Sequence, residues 1–588
     1  VARPVRIGNF SGFLGDRFTA LTEILHGGDV DVVMGDYLAE ATMAGVSSLF
    51  RGDVAAQQDF YATPFLRQIE PELGFIAEKR IKVVVNAGAF NPRGLAETLR
   101  ATIAEQGLDL GVAFIEGDDV LAAIPHLQAS GVLHHLDTGE PLDLSDQTLV
   151  AANAYLGGWG IVEALRAGAD IVIGGRISDA SLVAGPAAWW HDWELDDWDR
   201  LAGAVIAGHV IECGPQPSGG NFSGFVTIPD RVVLGFPLAE IADDGSFVIT
   251  KHDGTGGAVT VDTVTAQLLY EIQGVHYLNP DVVVHMDTIR VEQESVDRVR
   301  VSGTTGSAAS LTTKIGIFAE HGYKATFFGF VTGLRPREKV ALLEEQLRRA
   351  VDGLGVSELR VQPMGQPVDD PANQWEATMP VFISASADTK ESLQGLYAAF
   401  MGLGLSSYPG WYTDGAVSIT GRTEYFPGLT PLAGLHQRVV LADGSGLDAP
   451  AVPAEAYTGQ PHHDEATVPS PVEQPDDVRV PFGTIVYGRS SDKGANSDLG
   501  VWTPNPEAAE WLTGFLTTDR LRSLIGEPDD VAIERYELPN LHGLTFVLRG
   551  HLGTSGASNL DADTLSKALS EFLRARIVSA PARFVPAV

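Results

Sequence analysis

Short runs of β-branched and other apolar residues alternate with amphipathic stretches through the first third of the chain. Asp31-Val-Val-Met34, Ile81-Lys-Val-Val-Val85, Gly111-Val-Ala-Phe-Ile115 and Asp170-Ile-Val-Ile173 each run into a polar, glycine-containing turn. Between them, Gly94 to Glu105 and Asn153 to Ala169 carry helical spacing. Parallel strands need a crossover, usually a helix, so this alternation predicts an α/β region of βα repeats on a mostly parallel sheet. From Arg231 to Arg300, the runs Arg231-Val-Val-Leu-Gly-Phe236, Ser246-Phe-Val-Ile-Thr250 and Asp281-Val-Val-Val-His285 predict a strand-rich middle subdomain with a helix at Asp262 to Tyr270. Further strands are expected at Lys314-Ile-Gly-Ile-Phe318, Ala325 to Val331 and Pro380 to Ser384. Val340, Leu343, Leu347 and Val351 share one face of a helix from Pro336 to Leu354.

The alternation stops after Leu447. Pro450, Pro453, Pro461, Pro469, Pro471 and Pro475 fall among acids and small residues, a composition that buries no core and reads as a linker. His462, His463 and Asp464 lie inside it as a weak metal-ligand candidate. Order resumes with a strand at Thr484 to Tyr487, a helix at Thr518 to Leu524, the run Arg535-Tyr-Glu-Leu538 and a last helix from Ala562 to Arg576. The expected organisation is an α/β region over 1–230, an α+β region over 231–447, a linker over 448–478 and a C-terminal α+β domain over 479–588.

Composition narrows the function. The 588 residues exceed what one core accommodates, and 65 glycines imply many tight turns. With 76 acidic and 40 basic residues the net charge is -36, which argues against a nucleic-acid partner. Cys213 is the single cysteine, so an internal disulfide and a cysteine-rich zinc site are both excluded. The N-terminal residues lack the apolar stretch of a signal peptide, and no run reaches the roughly 18 apolar residues of a membrane span. A soluble, cytoplasmic protein is expected.

The polar strand ends are where chemistry is expected. In Arg6-Ile-Gly-Asn-Phe-Ser-Gly-Phe-Leu-Gly-Asp-Arg17 the amides around Asn9 and Ser11 could cradle an anion, with Arg17 adding charge, or could form only a tight βα turn; the dinucleotide pattern is absent. Asp36 and Glu40 suit either a general base or helix capping, and Asn86 suits a hydrogen bond to a carbonyl or hydroxyl. Glu116 to Asp119 is an acidic cluster with weak metal character. In Gly174-Gly-Arg-Ile-Ser-Asp179, Gly175, Arg176 and Ser178 could hold an anionic group, unless Arg176 only pairs with Asp179.

In Gly208 to Gly224, Glu212 is an acid/base candidate, and Cys213 is either a nucleophile or a buried apolar residue. Gly219, Gly220 and Asn221 offer a substrate loop. Lys251-His-Asp-Gly-Thr-Gly-Gly257 contributes Lys251 and His252, the residue titrating nearest neutral pH and thus the leading proton shuttle. In the last domain Arg489, Lys493, Asn496 and His542 suit an anion or oligomer contact.

Taken together, Arg6-Ile-Gly-Asn9, Gly35-Asp-Tyr-Leu-Ala-Glu40, Val85-Asn-Ala-Gly88, Glu116-Gly-Asp118, Gly174 to Asp179 and Glu212-Cys-Gly214 resemble the acyclic terpene utilisation family of the AtuA type. Ser491-Asp-Lys-Gly494 and Glu537-Leu-Pro-Asn-Leu-His542 resemble its accompanying ferredoxin-fold domain. The resemblance implies breakdown of acyclic terpenes or a related acyl-CoA pathway and supplies no catalytic residue list. The expectation is a catabolic, homo-oligomeric enzyme acting on a branched or unsaturated acyl substrate by hydration, lyase or hydrolytic chemistry. His252, Glu212, Asp179 and Cys213 would be catalytic. No cofactor or metal is expected, and CoA would enter only as part of the substrate. The alternative is a non-catalytic scaffold, with the C-terminal domain making the assembly contact.

Overall fold

The computed structural model describes residues 3–461 and 474–585, so the His462-His463-Asp464 run lies outside the described residues. Val5–Ser11, Val32–Gly35, Lys82–Val85, Ile171–Ile173 and Val112–Glu116 lie side by side in that order, all parallel. Their apolar residues are continuous rather than alternating because helices cover both faces of the sheet. Trp159–Arg166, Ser181–His191 and Trp198–Ile211 pack on one face, and Ala20–Gly27, Thr63–Ile69, Leu73–Lys79 and Pro92–Glu105 on the other.

Only the centre of this sheet is parallel; the whole is an eleven-stranded mixed sheet. Pro237–Ile241 runs antiparallel to Val5–Ser11, followed outward by Phe247–Lys251, Arg298–Ser302 and Arg290–Ser295. Of the strands that the sequence assigns to a middle subdomain, Ser246 to Thr250 therefore extends the first sheet, whereas Val283–His285 pairs in a separate three-stranded sheet with His276–Leu278 and Thr305–Ser307. Arg231 to Phe236 forms no strand, and Val232 is 89% exposed. Asn153 also changes place. Leu149–Ala154 is a strand paired with Thr312–Thr332, and helix begins only at Trp159. The small residues there suit either state, and the cross-strand partner decides.

A six-stranded sheet is built around Thr312–Thr332, which lies between Thr378–Ala387 and Val417–Pro431. The helix Pro336–Ala350 buries Leu343 and Leu347 against it, with Val340 and Val351 at the margin. In the C-terminal domain Tyr487–Lys493, Asn496–Trp502, Gly543–Leu548 and Ile533–Leu538 form an antiparallel sheet in that order. Thr484 belongs to a 3-10 turn, and the last helix starts at Leu569 rather than Ala562. The Asp563 carboxylate accepts the amides of Lys567 and Ala568, and Ser566 takes a φ of 55°, which holds that segment as a loop. Trp502, Leu538 and Val547 share one apolar core with helices of the N-terminal region, so the C-terminal domain is packed into the body.

Candidate functional site

The parallel strands deliver their polar residues at their carboxyl ends, where open α/β sheets place ligands. Buried Asn86 donates from Nδ2 to Asp36 Oδ1 at 2.6 Å and accepts the Tyr37 amide at 2.8 Å. Asp118 Oδ2 accepts the Arg176 amide at 2.8 Å and Asn153 Nδ2 at 2.9 Å. A Cβ at Gly175 would stand 2.4 Å from that carboxylate, so only glycine permits the approach.

Glu212 arrives from another direction. The helix Trp198–Ile211 is buried from Leu201 onward, as its nearly continuous apolar sequence requires, and Glu212 is its C-terminal cap. Asn9 Nδ2 donates to the Glu212 carbonyl at 2.9 Å. Gly12 brings the first loop against this turn, since a Cβ there would meet the Cys213 backbone at 2.5 Å. Carboxylate oxygens of Asp36, Asp179 and Glu212 thereby come within 4.8 Å of one another. Burial, then the Asp179 charge, pushes the carboxyls of Asp36 and Glu212 well above the usual carboxylate range, with Glu212 adding to the shift of Asp36 and Glu271 to that of Glu212.

Arg176 is occupied by its neighbours. Nη1 donates to Asp179 Oδ1 at 2.5 Å and Nη2 to the Tyr155 hydroxyl at 3.1 Å, with Glu40 Oε2 4.0 Å away. Tyr155 donates in turn to Glu40, which also pairs with Lys314 Nζ at 2.6 Å. Burial is the largest single effect and opposes both charges of the Glu40–Lys314 pair, but the surrounding groups together outweigh it: Lys314, then Lys493 and Arg176, hold Glu40 well below its usual range, and Glu40, then Tyr155, hold Lys314 well above.

A second ion pair faces the first. Lys493 Nζ lies 2.5 Å from Glu271 Oε2, and Ser491 Oγ donates to Glu271 Oε1 at 2.9 Å. Glu271 sits at a φ of 62°, held there by its amide bond to Asp498 Oδ2 at 2.9 Å. Such strain persists only where the surroundings enforce it. Burial opposes the Glu271 charge, yet Lys493 and then Lys567 hold its carboxyl down to about 2. Both pairs line one cavity of about 610 Å³, together with Asp179, Ser178, His276, Tyr277, Arg549 and an apolar wall of Leu136, Leu278, Leu311 and Leu429.

Asp498 behind Glu271 is fully buried, and burial followed by the Glu271 charge pushes its carboxyl up to about 8. A folded-state value above the unfolded one contributes stability that is complete below about pH 4 and lost as the pH rises to about 8. Asp498→Asn is therefore expected to flatten the fall in urea-unfolding midpoint between weakly acidic and weakly alkaline buffer. A decline equal to that of the unsubstituted protein would contradict this account.

Several candidates lie elsewhere. His252 is two strands away from Val5–Ser11, its Nε2 on the Ile24 carbonyl at 2.9 Å and its ring against Gly27 and Gly28. Lys251 pairs with Asp297 at 3.1 Å and donates to the Thr255 carbonyl. The structure thus brings neither to the cavity, because the strand order carries the end of Phe247–Lys251 under the helix Ala20–Gly27. Gly219, Gly220 and Asn221 form a seat for the C-terminal domain: Arg489 donates to the Asn221 carbonyl at 2.9 Å, and Phe222 packs on Tyr487 and Trp502.

Arg17 pairs with Glu23 at 2.5 Å, and Ser11 Oγ donates to the Phe13 carbonyl. The proposed anion cradle is already filled by a carboxylate of its own loop, since the Gly12 amide donates to Asp16. Cys213 stands beside Glu212, but burial and then the Glu212 charge push its thiol far up, which keeps it from the reactive thiolate form. Glu116 pairs with Arg93 apart from Asp118. Asn496 bonds Asp137 at 2.7 Å, and His542 occupies a left-handed turn.

Tyr155, Glu271, His276 and Lys314 belong to the cavity without having been singled out for it. Lys314 left one trace, a lysine opening the apolar run Lys314-Ile-Gly-Ile-Phe318 in a strand. Glu271 and His276 left none, since nothing local distinguishes them from surface residues.

A family model described as acyclic terpene utilisation family protein AtuA matches residues 5–441. The chain belongs to the AtuA family. A second model, the AtuA ferredoxin-like domain, matches residues 480–579, the segment that supplies Lys493 and Arg549. The AtuA family is implicated in acyclic terpene utilisation, consistent with a catabolic role. No curated protein and no solved structure matches the chain. Among the described residues no helix is long and apolar enough to cross a membrane.

Proposed function

We propose that this AtuA-family chain is a catabolic enzyme that hydrates or cleaves a branched or unsaturated acyl group, presented as a carboxylate or a CoA thioester. One observation carries the reading: distant parts of the chain place Lys314, Lys493 and the imidazole of His276 around a single cavity with a leucine- and tyrosine-lined wall. The apolar wall suits a branched hydrocarbon, and the lysines suit a carboxylate or the enolate formed when a proton leaves the carbon next to a thioester carbonyl. His276 takes the proton-transfer role expected of His252. Burial and then His285 lower its pKa, so the imidazole is neutral and basic at neutral pH, and its Nδ1 lies 3.3 Å from the Tyr457 hydroxyl.

The scaffold reading has less support, because the C-terminal domain contributes Lys493 and Arg549 to the cavity instead of only an outer surface. The test is incubation of the full chain with branched, unsaturated acyl-CoA thioesters and the matching free acids, with products read by mass spectrometry. Addition of water or carbon–carbon cleavage is expected, and His276→Ala is expected to slow it by about 10²-fold or more. No turnover across the panel, or an undiminished His276→Ala rate, would overturn the assignment.

A further inference from the structure

We propose that Asp36, Asp179 and Glu212 bind one hard divalent cation, of the magnesium, manganese or calcium class, at the carboxyl ends of the parallel strands. Three oxygens within 4.8 Å of one another are spaced for metal–oxygen distances of about 2.1–2.5 Å after a small side-chain adjustment. Carboxylate oxygens are the donors such ions prefer, and three protein ligands leave positions for water or a substrate oxygen.

The local charges leave room for a cation. Arg176 is shared between Asp179 and Glu40, and Lys314 is directed to Glu40. Among the described residues neither Asp36 nor Glu212 has a Lys or Arg side chain within ion-pair distance, and Asn86 reaches Asp36 only as a neutral donor. His209 does not neutralise Glu212. Its Nε2 lies on the Gln267 carbonyl at 2.8 Å, which leaves Nδ1 as the bare nitrogen 3.7 Å from Glu212 Oε1. Glu212 also caps a helix C-terminus, the negative end of the helix dipole.

An independent observation points the same way. Glu212 is 5% exposed, and its Oε2 is fully buried without a hydrogen-bond partner. Asn9, with 0% exposure and its Nδ2 on the Glu212 carbonyl, likewise leaves Oδ1 unpartnered. Buried acceptors left open in this way are costly unless something donates to them or coordinates them. Asp179 lines the cavity, so a cation here would reach the substrate through it; this consequence, unlike the binding itself, rests on the enzymatic reading above.

The test is calorimetric titration of the chelator-treated full chain with Mn2+ and, separately, Ca2+ and Mg2+, without substrate. One ion per chain is expected, with affinity lowered at least about tenfold by Asp36→Asn and by Glu212→Gln, both near-isosteric. Near-UV circular dichroism checks that the variants fold. If they do not, anomalous diffraction from Mn2+-soaked crystals of the unsubstituted protein decides, a peak among the three carboxylates being expected. Absence of binding by all three ions, affinity unchanged in both variants, or a Mn2+ peak only elsewhere would overturn the site. Because binding is read without turnover, its failure is separable from failure of the proposed reaction.

Discussion

Replacing Arg176 with methionine is expected to destabilise the protein by about 3–5 kcal/mol, the usual cost of removing one partner from a buried ion pair. Its side chain is 3% exposed, bonded to Asp179 and Tyr155, and within 4.0 Å of Glu40. Methionine fills much of the volume, so packing loss is a minor part; what remains is a half-buried Asp179 without its counter-charge beside the buried Asp36 and Glu212. Urea unfolding followed by tryptophan fluorescence measures the loss. Arg176→Lys is expected to recover only part of it, because an ammonium cannot hold Asp179 and the Tyr155 hydroxyl in the same fork. A methionine variant within about 1 kcal/mol of the parent would mean that the cluster is neutralised in some other way.

Lys493→Met tests the second ion pair and carries a pH signature. Despite burial, Lys493 and then Lys567 hold the Glu271 carboxyl down to about 2, against an ordinary value of 4.5. A depressed carboxyl contributes stability above its unfolded value and loses it as the pH falls, here from about 4.5 to about 2. The shift corresponds to roughly 3 kcal/mol. Without Lys493 the nearest cation is Lys567, 3.7 Å from Glu271 Oε1. The variant is expected to lose about that amount at neutral pH and to show a shallower acid limb, with activity falling as the cavity loses a lysine. Parallel pH–stability curves for the two proteins would refute the assignment.

The stretch from Asp170 to Asp179 shows how far local sequence reaches. Ile171–Ile173 is a strand, Gly175 turns it, and Arg176, Ser178 and Asp179 follow at its carboxyl end, as the β-branched run and the glycines predict. Asp36 and Asn86 were legible for the same reason. The choice between Arg176 as a clamp and Arg176 as the partner of Asp179 was not, because it depends on Tyr155 and Glu40. The sequence could not place His252 relative to the cavity, because its titration range is a property of the residue type, whereas its place under the helix Ala20–Gly27 is set by strand order. Ser246 to Thr250 was recognisable as a strand, but Pro237–Ile241 was not, the strand being expected just before it at Arg231 to Phe236, and neither was the edge it joins, since many pairings satisfy one alternating pattern.

The sequence by itself determined the α/β alternation, the polar strand ends and the family, all written within windows of about twenty residues by side-chain period and turn chemistry. Tertiary structure alone decided the site: Glu271 meets Lys493 across 222 positions, and Lys314 meets Glu40 across 274. The reason is physical. A lone lysine or glutamate is a surface residue until folding removes water from around it, and only then does the distant opposite charge determine whether it can stay.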